Sequence, residues 1–159
     1  MLSLLLLVAC PTTDKTAIDF NSDDLLVEIE GYETWAQPTG WSGPAPSCDG
    51  THGPLVDIWT NAVAADALAA GTNPLPDGAT LIKQGYDEDG VTPRNLTVMR
   101  KLTGFDPDNG DWFWGQYDAD GAELASGAVS GCTGCHGASV GDYVLFPESP
   151  VVADVAECP

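Results

Sequence analysis

Basic residues are scarce in this chain. It carries 5 lysines and arginines against 24 aspartates and glutamates in 159 residues, a formal charge of −19. That field repels a phosphate backbone, which excludes nucleic-acid binding, and it leaves no basic patch for an anionic lipid surface. Histidine is scarcer still, with 2 residues, so a multi-histidine metal cluster cannot be built. Long apolar runs are missing as well: Met1–Ala9 is apolar but too short to span a bilayer as a helix. What is plentiful is glycine (18) and proline (12), which argues against a bundle of long helices and for strands joined by turns. With 43% hydrophobic and 8% aromatic residues, the chain has the material for one domain with a packed core.

The stretch 1–9 reads as the apolar core of an export signal. Its end, Leu7-Val8-Ala9-Cys10, resembles a bacterial lipobox, so the expected mature chain begins at a lipidated Cys10, its only tie to a membrane. No lysine or arginine precedes the apolar run, and the competing reading is a buried N-terminal strand with a structural cysteine. Residues 10–21 read as a tether and 22–159 as a single domain. Export implies an oxidising compartment. Of 5 cysteines, Cys10 is assigned to lipid and Cys132 and Cys135 to a motif described below; Cys48 and Cys158 remain as a pair that a disulfide can join.

Periodicity predicts a helix over Ser22–Gln37, capped by Ser22 or Asp23 and stopped by Pro38. Pro38–Pro54 reads as a loop, and Ala62–Ala70 as a short helix capped by Asn61 and ended by Gly71. Strands are predicted over Leu55–Thr60, Gly78–Tyr86, Asn95–Leu102 and Asp111–Tyr117. The expected product is an α+β domain, a mostly antiparallel sheet with a few short helices. Strand parity puts Arg100 on a face with Leu96, Val98 and Leu102, and Lys83 on a face with Leu81. A cation on an apolar face requires an anionic partner.

Cys132-Thr133-Gly134-Cys135-His136 carries the chemistry. C-x-x-C-H is the attachment signature of c-type haem: two thiols at this spacing reach the vinyl groups on one haem edge, and the next residue, His136, becomes the proximal iron ligand. A thioredoxin-like site would open a helix within a βαβ unit, which the pattern does not contain, and a zinc site needs more ligands than are spare. The sixth iron position has two candidates, Met99 and His52. Core packing accounts for the first and a solvated loop for the second, which favours a five-coordinate iron under an aromatic pocket. Arg94, Arg100 and Lys101 are candidates for haem propionates by charge, Arg100 foremost. Asp106–Asp111 reads as a plain turn, since it lacks the loop length and terminal glutamate of an EF-hand calcium site.

Several blocks then appear in a fixed order: His52-Gly53-Pro54, Trp59-Thr60-Asn61-Ala62, Pro76-Asp77-Gly78-Ala79-Thr80-Leu81-Ile82-Lys83, Val98-Met99-Arg100-Lys101, Gly110-Asp111-Trp112-Phe113-Trp114, and Gly131–His136 followed by Asp142-Tyr143-Val144. Over roughly 50–146 the chain resembles the cytochrome P-460 family, which includes the β-sheet cytochromes c′. The resemblance implies a mono-haem protein with a largely antiparallel β fold and a five-coordinate resting iron. The enzymes of that family oxidise hydroxylamine, and a lysine is cross-linked to the haem; the matching position is Lys83, with Gln84 where the enzymes tend to have an acid. Non-enzymatic relatives bind nitric oxide in an apolar distal pocket, for which Phe105, Trp112, Phe113 and Trp114 are candidate caps. The expectation is an exported cytochrome that binds nitric oxide or oxidises hydroxylamine, with a six-coordinate electron carrier as the alternative. Its acidic surface favours a basic redox partner.

Overall fold

A computed structural model of the chain describes residues 18–146. The expected signal, Cys10, most of the tether and Cys158, and with it the Cys48–Cys158 pairing, lie outside the described residues. Six strands form one sheet in chain order: β1 (Ala45–Asp49), β2 (Gly53–Thr60), β3 (Thr80–Tyr86), β4 (Pro93–Lys101), β5 (Trp112–Asp118) and β6 (Glu123–Gly127). Every neighbouring pair is antiparallel, so the sheet is a meander, with α2 in the connection between β2 and β3. Three short helices accompany it, α1 (Ser22–Glu28), α2 (Ala62–Ala69) and α3 (Ser130–His136). Among the described residues no helix is long and apolar enough to cross a membrane.

Both faces of the sheet are covered, by different means. On one face Trp59, Ile82, Val98, Phe113 and Tyr117 pack against Leu25 and Ile29 at the α1 end of the chain. Gly115 permits this approach: a Cβ there would stand 2.7 Å from Leu25 Cδ2. The Tyr117 hydroxyl donates to the Ser22 carbonyl at 3.1 Å, tying the helix to β5. On the other face Leu81, Met99, Trp112 and Trp114 pack against Ala64 and Ala67 of α2. Asn61 joins α2 to the sheet. Its Oδ1 accepts from the N–H groups of Ala64 and Thr80, and its Nδ2 donates to the Gly78 carbonyl.

The predicted helix over 22–37 is shorter than its periodicity suggests. Asn21, not Ser22 or Asp23, caps it, in a capping box with Asp24. It ends at Glu28, and Gly31 turns the chain through a left-handed φ of 75° into a single 3₁₀ turn over Tyr32–Thr34. The loop predicted over 38–54 contains β1, an edge strand. Neither β6 nor the helical form of the thiol motif was expected from periodicity.

Candidate haem site

α3 presents both thiols of the motif. Cys132 and Cys135 lie three positions apart, on neighbouring turns of one helix flank, and both line one cavity. The two are not joined to each other by a disulfide, and burial pushes the Cys132 thiol above its ordinary pKa. His136 ends the helix and is buried, 6% exposed.

The histidine ring is oriented by a carbonyl. His136 Nδ1 lies 2.7 Å from the Tyr143 carbonyl oxygen. A carbonyl only accepts, so Nδ1 carries the proton and the lone pair of the neutral ring sits on Nε2, the atom a metal takes. That carbonyl is itself held firmly. Asp142 and Tyr143 both adopt left-handed backbone, with φ of 49° and 66°, a costly conformation that the surroundings must impose. Lys101 Nζ donates to both Asp142 carboxylate oxygens at 2.8 and 2.9 Å, and the Leu75 N–H donates to the same carboxylate at 2.7 Å. Trp112 Nε1 donates to the Asp142 carbonyl at 3.0 Å. Gly110 leaves room for the Tyr143 ring, which a Cβ would meet at 2.8 Å.

Between α3 and the sheet lies an apolar cavity of about 470 Å³. Ile58, Leu81, Met99 and Trp114 form its apolar wall, with Lys83 and Thr97 side by side on β3 and β4. His52 also lines it. Its backbone lies directly over β3, where a Cβ on Gly85 would fall 1.9 Å from the His52 carbonyl oxygen. Asn95 Nδ2 donates to the Thr51 carbonyl at 2.6 Å and pins the same loop. Trp114, one of the wall residues, has its Nε1 buried without a hydrogen-bond partner among the described residues. A thiol pair, an imidazole with its lone pair on Nε2 and an apolar wall all suit a haem.

The other expected site residues fall elsewhere. Arg100 does not reach the cavity. It points to the α1 face, where its Nε lies 3.2 Å from both Glu28 carboxylate oxygens and its guanidinium covers the Phe20 ring at 5.1 Å. Glu28 is the anion its inward position required, so the assignment of Arg100 to a propionate is corrected. Lys101 is on the cavity face but is committed to Asp142. Arg94 is exposed and pairs with Asp87. Among the four aromatic cap candidates only Trp114 lines the cavity. Phe105 and Phe113 pack against each other on the α1 face, and Trp112 is sealed in the α2 cluster. Asp106 and Asp111 spend their carboxylates on turn hydrogen bonds to Asn109 and to the Asp106 N–H. The Asp142 clamp and the Thr97 hydroxyl were not foreseen; the only sequence signal for the clamp is the Asp142-Tyr143-Val144 block soon after the motif.

An antiparallel sheet facing a paired-thiol helix and an oriented imidazole across an apolar cavity defines a class, the β-sheet haem proteins. A family model described as Cytochrome P460 matches residues 29–146. The chain belongs to the Cytochrome P460 family and is a haem cytochrome. Comparison with curated proteins gives no significant match.

Proposed function

We propose that this cytochrome carries one haem c, joined by thioethers to Cys132 and Cys135 and ligated by His136. It acts outside the cytoplasmic membrane, anchored by lipid at Cys10, on a small nitrogen compound that is either bound (nitric oxide) or oxidised (hydroxylamine). The observation that carries this reading is the His136–Tyr143 hydrogen bond beside Cys132 and Cys135 at the cavity. It supplies what a proximal ligand needs, a fixed ring with its lone pair on Nε2. Bound haem supplies an iron that takes up and releases single electrons. The protein's share is to hold that iron in an apolar cavity and to exclude bulk water from it. Lys83 lines the same cavity, which supports reading it as the counterpart of the cross-linked lysine of the hydroxylamine-oxidising enzymes. A basic protein is the fitting electron acceptor for so acidic a surface.

Expression in a host that matures c-type cytochromes tests this. The haem is expected to stay with the polypeptide through acid–acetone extraction, and to be lost from the Cys132→Ala/Cys135→Ala double variant. A colourless product, or colour that the wash removes, overturns the proposal. Mass spectrometry of the haem peptide reads Lys83 separately: a third covalent link marks the enzyme, and its absence leaves ligand binding.

A further inference from the structure

Two rows of side chains cross the cavity face of the sheet, and they differ in kind. Strand register sets Leu81, Met99 and Trp114 side by side on β3, β4 and β5. The next positions on the same face set Lys83, Thr97 and Gln116 side by side. All six residues line the cavity, so one row is apolar and the other polar. Within the polar row the Thr97 hydroxyl is committed: its Oγ1 lies 2.8 Å from His52 Nδ1 and 3.3 Å from the Lys83 carbonyl oxygen. Gln116 is half-buried, and among the described residues its side-chain amide makes no hydrogen bond. That amide carries two donor hydrogens and an acceptor oxygen. It stands on a strand rather than a loop, which fixes its backbone against the rest of the site.

The neighbours of Gln116 tie it to the His136 ring. On its own strand the next residue on the cavity face is Trp114, whose ring centroid is 4.8 Å from that of His136. On the adjacent strand its register partner Thr97 touches His52, whose ring centroid is 6.2 Å from that of His136. Residues on two sides of Gln116 therefore reach the imidazole proposed to hold the iron. The neutrality of the amide says what it suits. A propionate carboxylate is best matched by a cation, whereas an uncharged polar molecule is matched by an uncharged donor and acceptor. Resting on the haem reading above, we infer that Gln116 hydrogen-bonds the small nitrogen ligand taken up at the iron, and so makes the cavity select ligands that hydrogen-bond over those that do not.

The test uses the haem-loaded full chain and two probes: carbon monoxide on the ferrous protein, and hydroxylamine on the ferric protein with no electron acceptor present. Gln116→Leu is expected to keep its covalent haem. Its carbon monoxide adduct is expected to show a higher C–O stretching frequency in the infrared than the wild type, because a hydrogen-bond donor at the ligand lowers that frequency. Hydroxylamine is expected to bind Gln116→Leu roughly five-fold more weakly, the worth of one hydrogen bond, while carbon monoxide affinity changes by less than about two-fold. If Gln116→Leu fails to fold, Gln116→Met, which keeps the length of the side chain, gives the same comparison. An unchanged C–O frequency, or an equal loss of affinity for both probes, overturns the inference while leaving the haem reading intact. An unchanged frequency with an altered pH dependence of the reduction potential also overturns it, and assigns the amide to a propionate. A colourless wild type fails the haem reading itself, and the inference falls with it.

Discussion

Arg100 and Lys101 are neighbours on β4 and point to opposite faces of the sheet, and the two faces treat a cation differently. The α1 face is sealed by side chains. There Arg100 sits at the margin, its side chain 15% exposed, against a Glu28 that is 33% exposed. The cavity face packs on α2, and the apolar cavity separates the rest of it from α3. There Lys101 is 8% exposed and Asp142 7%, a buried pair that fixes backbone rather than fills volume. One face has been built for stability and the other for placement: Lys101 holds Asp142, Asp142 and Tyr143 hold their left-handed turn, and Tyr143 holds His136.

The sharpest way to break this comparison is to remove each cation in turn. Lys101→Met leaves a carboxylate uncompensated in the interior and is expected to cost about 3–5 kcal/mol. Denaturant unfolding of the haem-free protein measures it. Adding Asp142→Asn removes the stranded charge, so the double variant is expected to recover part of the loss, and a double variant no better than the single one refutes the charge account. The effect should also reach the haem: with the Asp142 clamp loosened, the His136 carbonyl partner wanders and the iron spectrum broadens. Arg100→Gln is expected to cost roughly 1 kcal/mol, the worth of a partly exposed ion pair and one cation–π contact. Its haem spectrum is expected to match the wild type, because the side chain is on the wrong side of the sheet. A spectral change in Arg100→Gln as large as that in Lys101→Met would erase the distinction between the faces.

The same pair marks what could be read from the sequence. The central strands were legible: β2 to β5 alternate between faces, with Asp89-Gly90 in the turn between β3 and β4 and Asn109-Gly110 in the connection between β4 and β5. Parity correctly grouped Arg100 with Val98 and Lys83 with Leu81. It could not say which group faced the cavity, because both faces are apolar and period-two alternation is blind to what lies above a sheet. That is why Arg100 was expected at a propionate. The edge strands were not legible: β1 reads Ala-Pro-Ser-Cys-Asp and β6 Glu-Leu-Ala-Ser-Gly, sequences with little alternation of apolar and polar residues. In the site, the thiols and His136 were legible because the motif fixes their spacing locally. The partners that orient the two imidazoles were not, since Thr97 is 45 residues from His52 and meets it only through strand pairing.

The smallest expected effect is on the sealed face and appears only in alkali. Tyr32, Tyr86 and Tyr117 all belong to the sheet's α1 side, by contact or by strand parity, and burial raises the pKa of each above the ordinary tyrosine value. Tyr32 is raised furthest, with Glu33 adding to the burial effect, and its hydroxyl donates to Gln84 at 2.8 Å. In the unfolded chain these phenols titrate near pH 10. Between that pH and their higher folded values the unfolded state has lost protons that the folded state keeps, so stability falls as pH rises, while below pH 10 the contribution is fully present. The denaturant midpoint of the haem-free protein is therefore expected to be flat through pH 9 or so and to decline from about pH 10 upward. Tyr32→Phe is expected to flatten part of that decline at the cost of one hydrogen bond at neutral pH. The cavity face, whose Tyr143 has its carbonyl rather than its hydroxyl at the site, should register none of this: the haem-loaded protein's spectrum is expected to hold steady until unfolding itself begins. A spectrum that shifts ahead of unfolding would place an alkaline group at the iron and join the two faces that the neutral-pH variants keep apart.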